Sequence, residues 1–236
     1  MSPSAGAARN QLLCSLKADD LALLRPGLRK VDLPLMTVIE EPGVPIKDVY
    51  FFESGFASVV TGDKVPIEIG LIGREGMSGL SIVMDDDRSV NRTFMQAGGT
   101  ALRLKADRLR GALRDSPSLR SSLLRYAHAF TVQTSQTALV NGRAKLEARL
   151  ARWLLMAHDR FDQTAFPFTH RFIAMMLGVR RAGVTTTLHI LEGRKLIKAS
   201  RGQITVIDRK GLEALADPSY GVPEAEYERL VLNRKV

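Results

Sequence analysis

Between residues 169 and 207 apolar side chains recur twice at helical spacing, with one glycine between the two repeats. Phe172, Ile173, Met176 and Leu177 form the first stripe, and Val184, Leu188 and Leu191 form the second. Gly178 separates them, the residue type that ends a helix in the left-handed conformation at little steric cost. The spacing therefore predicts helix, tight turn, helix. Residues 197–207, centred on Arg201-Gly202, predict two short strands forming a wing. Burying the two stripes leaves Arg180, Arg181, Thr185, Thr186 and His189 on the outer side or at the N-terminal end of the second helix. Residues 169–201 hold seven Lys or Arg and a single acid, Glu192. A compact helix pair with a cationic, polar outer face meets the requirements of major-groove DNA reading.

The charge is unevenly distributed. The net charge is +9; residues 1–140 carry 17 basic and 15 acidic side chains, and residues 141–236 carry 17 basic and 10 acidic, balances of +2 and +7. An excess confined to one half favours a polyanion for that half and a different task for the other. The basic residues lie on a folded pattern rather than in a free polybasic tail, which favours nucleic acid over a membrane surface. At 236 residues and 45% apolar composition the chain suits two small domains, each with its own core. No run of 18 apolar residues occurs, and the first residues lack the apolar segment of a signal peptide. A cytoplasmic protein without membrane association is expected. The single cysteine, Cys14, excludes an internal disulfide framework and a Cys-rich iron–sulfur site. Catalytic signatures are also lacking. Ser, His and Asp occur in no nucleophile-elbow spacing, Cys14 has no nearby base, and the glycines of 70–76 lie between strands rather than before a helix. No catalytic and no metal-ligating residues are assigned.

Ahead of the DNA-reading pattern, residues 11–30 predict a leading helix. From 29 to 104 short β-rich runs (37–39, 49–52, 56–60, 67–72, 93–96 and 101–104) alternate with turns containing Gly43, Gly55, Gly62 and Gly76. Short strands at near-regular spacing predict a small sandwich or roll. Residues 105–114 predict a short helix. A long one follows over 118–140, opened by Ser116-Pro117 and striped by Leu123, Tyr126 or Ala127, Phe130, Thr137 and Val140. That stripe suits a twin helix in a dimer or packing on the chain's own roll. Asn141-Gly142-Arg143 predicts a break and hinge. An amphipathic helix over 146–158 buries Leu150, Trp153, Leu154 and Ala157, and a connector around Pro167 leads to the helix pair. A last helix is expected over 224–232.

This order of roll, long helix, hinge and winged helix-turn-helix resembles the cyclic-AMP receptor protein / fumarate–nitrate regulator (CRP/FNR) family of bacterial transcription factors. The segments at 71–79 (LIGREGMSG), 146–160 (LEARLARWLLMAHDR) and 172–185 (FIAMMLGVRRAGVT) carry the likeness, which covers about residues 10–215. It implies an α+β chain divided into a cyclic-nucleotide-binding-like sensor β-roll (a double-stranded jelly roll) with leading helix (1–115), a long dimerisation helix (116–141), a C-terminal winged helix-turn-helix (142–215) and a tail (216–236). It further implies a homodimer on double-stranded DNA with a near-palindromic operator, working with RNA polymerase.

By the same resemblance Arg181 reads base edges. The family's base-reading glutamate is replaced by Ala182, and a later arginine by Thr186. Arg180 is a second base reader or a phosphate contact. Thr169, His170, Arg171 and Arg201 match backbone-touching positions, and Thr185 and His189 complete the outer face. In the roll, the cyclic-nucleotide signature of Gly-Glu followed by Arg-Ser falls on Gly79-Leu80 and Arg92-Thr93, and Thr134-Ser135 match the base-contacting pair. Leu80 accepts no hydrogen bond, so the ribose contact is lost, and Asp85 to Asp87 stand near the place of the phosphate. Cyclic AMP is therefore doubtful as effector, and the effector stays unassigned. The competing class is a regulatory module acting on a protein partner with vestigial DNA binding, which has no need of seven cations against one acid.

Overall fold

The computed structural model describes residues 9–62, 66–161, 165–166, 168–200 and 202–232. The leading segment is two helices, α1 (Gln11–Ser15) and α2 (Ala18–Leu24), with a 3-10 turn at Arg25–Gly27, and not the single helix expected. Leu16 and Lys17 are both extended and separate them. The break lets Leu12, Leu13, Leu16 and Leu24 enter one core while Leu23 stays exposed. Asn10 anchors the start: its Oδ1 accepts from Leu13 N–H, and its Nδ2 donates to the carbonyls of Phe52 and Gly76 at 2.9 and 2.8 Å.

Among the described residues seven strands form the roll: β1 (Arg29–Leu33), β2 (Val38–Glu40), β3 (Asp48–Phe52), β4 (Phe56–Thr61), β5 (Ile67–Ile72), β6 (Arg92–Ala97) and β7 (Gly99–Lys105). They pair antiparallel in two sheets, ordered β1-β7-β3 and β2-β6-β4-β5. The β-rich runs read from the sequence match six of these strands with small shifts at their ends. Strand β1 is additional, as is a one-turn helix α3 (Leu80–Val83) before β6. Between the sheets lie Leu33, Phe52, Ala57, Val59, Ile72, Met95 and Ala101. Strand β4 buries five consecutive residues, so its second face is covered as well.

The outer face of the three-stranded sheet is covered by α1, α2, α4 (Ala106–Asp115) and α5 (Pro117–Arg143). Ser116 caps α5, its Oγ accepting from Leu119 N–H at 3.1 Å. The expected hinge at 141–143 is not there. Helix α5 runs through Asn141 and Gly142 to Arg143, and the chain turns at Ala144-Lys145, where ψ is 148° and 156°. A helical glycine costs only about 1 kcal/mol relative to alanine, too little to interrupt a helix packed along most of its length. Of the stripe read from the sequence, Leu123, Tyr126, Ala127 and Val140 are buried against the chain itself. A second heptad-spaced row, Leu124, His128, Thr131, Ser135 and Ala138, remains exposed.

The C-terminal unit is α6 (Leu146–Arg160), β8 (Ala165–Phe166), α7 (His170–Leu177), α8 (Arg181–Gly193), β9 (Ile197–Ser200), β10 (Gln203–Val206) and α9 (Arg209–Ala216). The strands form a small sheet, β8-β10-β9. Residue 167, read as part of the connector, lies outside the described residues. This unit shares one core with the outer face of the four-stranded sheet, where Phe56, Val60, Leu71 and Phe94 meet Trp153, Leu154, Phe166, Phe168 and Met176. The tail does not trail away. Helix α10 (Val222–Leu230) returns to pack on α5, Val231 is 5% exposed in the core of the helical layer, and Tyr227 Oη donates to Glu75 O at 2.8 Å.

Candidate nucleic-acid interface

Helix α7 starts at Thr169, whose hydroxyl accepts from Phe172 N–H at 3.2 Å. That hydroxyl serves as the cap. The helix ends at Gly178 with φ of 61°, and Val179 N–H returns to Ala174 O at 3.0 Å, the bond that closes a left-handed cap. Arg180 follows in extended conformation as the N-cap of α8, and Arg181 is the helix's first residue. Val184, Thr187, Leu188 and Leu191 are buried, which places Arg181, Ala182, Thr186 and His189 in solvent on the other side. Arg180 and Arg171 are exposed beside them, as are Arg194, Lys195 and Lys198. Glu192, the acid of this stretch, is tied inward by Ala199 N–H, which donates to Oε1 at 2.9 Å. The outer face is thereby left cationic.

Two of the residues read from the sequence are joined directly. Thr185 Oγ1 donates to Arg181 O at 3.1 Å and lies 2.9 Å from His170 Nδ1. With the hydroxyl hydrogen committed to the helix carbonyl, Nδ1 must be the donor, and Nε2 of the neutral ring is left as an acceptor. The pair locks the first helix to the second. Arg201 lies outside the described residues, so its place is not assigned.

Behind this face the unit rests on β5. A Cβ at Gly178 would lie 2.5 Å from Ile67 Cδ1, so the turn between α7 and α8 touches the roll. Beside it sits Glu68, 5% exposed. Trp153 Nε1–H donates to Glu68 Oε1 at 2.7 Å, Ser58 Oγ–H donates to Oε2, and Ser58 Oγ also lies 3.4 Å from Met176 Sδ. Burial pushes the Glu68 carboxyl up to about 7, against the hydrogen bonds from Ser58 and Trp153 and the charges of Arg160 and Arg152. Residue spacing marked nothing of this cluster beyond Trp153 as inward-facing. Arg149 Nη2 donates to Leu177 O, the carbonyl just before the turn glycine.

The residues matched to an effector site divide. Gly79 N–H (φ 80°) donates to Glu40 Oε1 at 2.6 Å, and Thr93 Oγ1 donates to Glu40 Oε2 at 3.3 Å. Glu40 was not singled out from the sequence. Burial raises its pKa, opposed by the Gly79, Thr93 and Ser89 hydrogen bonds. Arg92 pairs at the surface with Glu41 at 3.2 Å, and Leu80 packs partly buried against the helical core. On α5, Thr134 Oγ1 donates back to Thr131 O at 2.9 Å, and Ser135 is exposed. Asp86 and Asp87 belong to an exposed turn in which Arg88 contacts both. A cavity of 720 Å³ lies elsewhere, where roll, α5, the end of α6 and α10 meet, with Phe130, Gln133, Glu75, Arg160, Glu224 and Tyr227 among its walls. No helix among the described residues is long and apolar enough to cross a membrane.

The sequence of residues 148–215 matches the Crp-like helix-turn-helix domain. No curated protein matches the chain in sequence. Among solved structures, a transcriptional regulator of the Crp/Fnr family from Eubacterium rectale superposes with a TM-score of 0.69 at 21% identity, over 87% of this chain and 97% of that one. FixK2 from Bradyrhizobium japonicum gives 0.67 at 16% identity, over 80% and 96%. A CRP/FNR-family transcriptional regulator from Thermus thermophilus gives 0.64 at 19%, over 81% and 100%. Residues 148–215 thus carry a Crp-like helix-turn-helix domain, and the chain shares the fold of these CRP/FNR-family regulators.

Proposed function

We propose that the protein acts as a homodimer on a near-palindromic operator, with Arg181 reading a guanine in each half-site. The observation that carries this reading is the exposed Arg181 in the first turn of α8, on a face stripped of acid. An arginine there donates bidentately to guanine N7 and O6, worth about 1–3 kcal/mol of discrimination. Ala182 beside it offers no acceptor to the paired cytosine, so specificity at that base pair rests on the arginine alone. Arg180, Arg171, Thr169, Thr186, His170 and His189 supply further phosphate or base contacts, and Arg201 is assigned the same role from its place in the wing sequence. The exposed heptad row on α5 supports a twin helix as partner. RNA polymerase and a cytoplasmic setting accompany the role.

The sensor reading is narrower. Gly79 and Thr93 already satisfy a buried carboxylate, Leu80 is apolar, and Arg92 is engaged with Glu41, so a cyclic nucleotide finds neither its ribose acceptor nor a free phosphate clamp among them. Cyclic AMP at saturating concentration is expected to give no heat in titration calorimetry. Selection from a random DNA pool with ligand-free protein tests the main reading. A near-palindromic motif is expected, and the Arg181→Ala protein should lose preference at one base pair per half-site, about 5- to 150-fold by the range above. Absence of any DNA binding at low salt would remove the reading in favour of a module acting on a protein partner.

A further inference from the structure

The contact between the roll and the helix-turn-helix unit contains a titratable group that DNA reading does not use. Glu68 on β5 is enclosed by Ser58 of β4, Trp153 of α6 and Met176 of α7. The charged groups facing it among the described residues come from α6: Arg149 and Arg152, which line a 20 Å³ void together with Glu68, and Arg160, held at 2.7 Å by Glu75. Glu224 of α10 acts on Arg152 and Arg160; α5 and α7 contribute no charge at this point, α5 presenting Thr137 to Arg152.

The geometry supports two hydrogen-bond arrangements. With Glu68 ionised, Trp153 Nε1–H and Ser58 Oγ–H both donate to the carboxylate, and Met176 Sδ is left without the hydroxyl hydrogen. With Glu68 protonated at Oε2, that O–H donates to Ser58 Oγ, which frees the serine hydrogen to turn to Met176 Sδ at 3.4 Å, while Trp153 still donates to Oε1. Only the protonated arrangement runs unbroken from β5 through β4 into α7. The same face holds other polar atoms without hydrogen-bond partners among the described residues: both amide atoms of Gln96, on β6 of this sheet, and Nη2 of Arg152. A domain contact built with unsatisfied polar groups is held less firmly than an apolar one of equal area and is positioned to open.

We propose that Glu68, Ser58, Trp153 and Met176 form a proton-operated latch: a proton on Glu68 fastens the helix-turn-helix unit to the roll, and its loss loosens the unit. The sign follows from linkage. A carboxyl whose pKa is raised from 4.5 when solvated to about 7 when enclosed favours the closed contact fully below 4.5, progressively less as pH rises, and least above 7. Between pH 6 and pH 8 the opening equilibrium rises on the order of tenfold.

Trp153 is the chain's one tryptophan, so its indole N–H gives a single resonance in ¹⁵N-labelled full-length protein. Its chemical shift is expected to titrate with a midpoint near 7, and its exchange protection, corrected for base catalysis, to fall about tenfold from pH 6 to pH 8. Glu68→Gln keeps the acceptor for Trp153 and should abolish both changes. Ser58→Ala removes one donor to the carboxylate and should move the midpoint up, a second check if the glutamine variant folds poorly. A flat titration, unchanged protection, or a titration that persists in Glu68→Gln overturns the latch. No DNA enters the measurement, so its outcome is independent of the base-reading assignment.

Discussion

Gly178 shows how much one residue carries. Its φ of 61° suits glycine, and the space where a Cβ would go is filled by Ile67 of the roll. Gly178→Ala therefore meets two penalties, left-handed strain of about 1–2 kcal/mol and displacement of Ile67. Loss of at least that much stability is expected in urea unfolding; an unchanged midpoint would mean the turn does not touch the roll. The first penalty was readable from the sequence, because a glycine after an apolar helical stripe marks a left-handed end. The second was not, since Ile67 lies more than a hundred residues earlier. Glu68 was hidden for a related reason. In the run Ile67-Glu68-Ile69 a polar residue at alternate spacing reads as solvent-facing, and here that outer face is covered by another unit. Glu40 escaped notice likewise, as one acid of a Glu-Glu pair before a turn.

At the scale of elements, α5 corrects one expectation and decides between two readings of its stripe. The Asn-Gly pair that suggested a hinge is helical, and the chain turns two residues later. Gly142 is exposed and a Cβ there meets nothing within 4 Å, so Gly142→Ala should stabilise the protein by about 0.5–1 kcal/mol and leave DNA affinity unchanged. A drop in stability or in DNA affinity would restore a hinge at this point. The apolar stripe read from the sequence turned out to face the chain's own core, while the row through Leu124 and Ala138 stays open, with Leu139 47% exposed beside it. A Leu124→Asp/Leu139→Asp double variant is expected to run as a monomer in light scattering and to lose operator affinity while retaining its helical content. A variant that remains dimeric would place the dimer elsewhere.

The whole molecule is a stack of layers: helices, three-stranded sheet, roll interior, four-stranded sheet, DNA-reading unit. The tail closes it. Tyr227 and Val231 tie α10 to Glu75 and the helical core, and Arg160 at the end of α6 reaches the same glutamate. Deleting residues 222–236 removes burial worth about 3 kcal/mol and should lower the melting temperature by roughly 10 °C. It should also open the 720 Å³ cavity, which α10 helps to wall. A melting temperature unchanged by the deletion would show the tail to be a passive extension. The division of charge agrees with the layering: the +7 half carries the exposed cationic face of the helix-turn-helix unit, and the nearly balanced half forms the roll.

What the sequence determined by itself was local and periodic. Helical spacing set α6, α7 and α8, a glycine set the turn, short alternating runs set the strands, and the excess of cations over one acid marked the outer face. These signals act within a few residues, so one chain read in order contains them. The tertiary structure decided which faces meet. It joined Glu68 to Trp153 across 85 residues, Gly79 to Glu40 across 39 and Tyr227 to Glu75 across 152. Such pairings depend on how sheets and helices stack. A buried carboxylate and a solvated one are the same letter until the covering layer is in place.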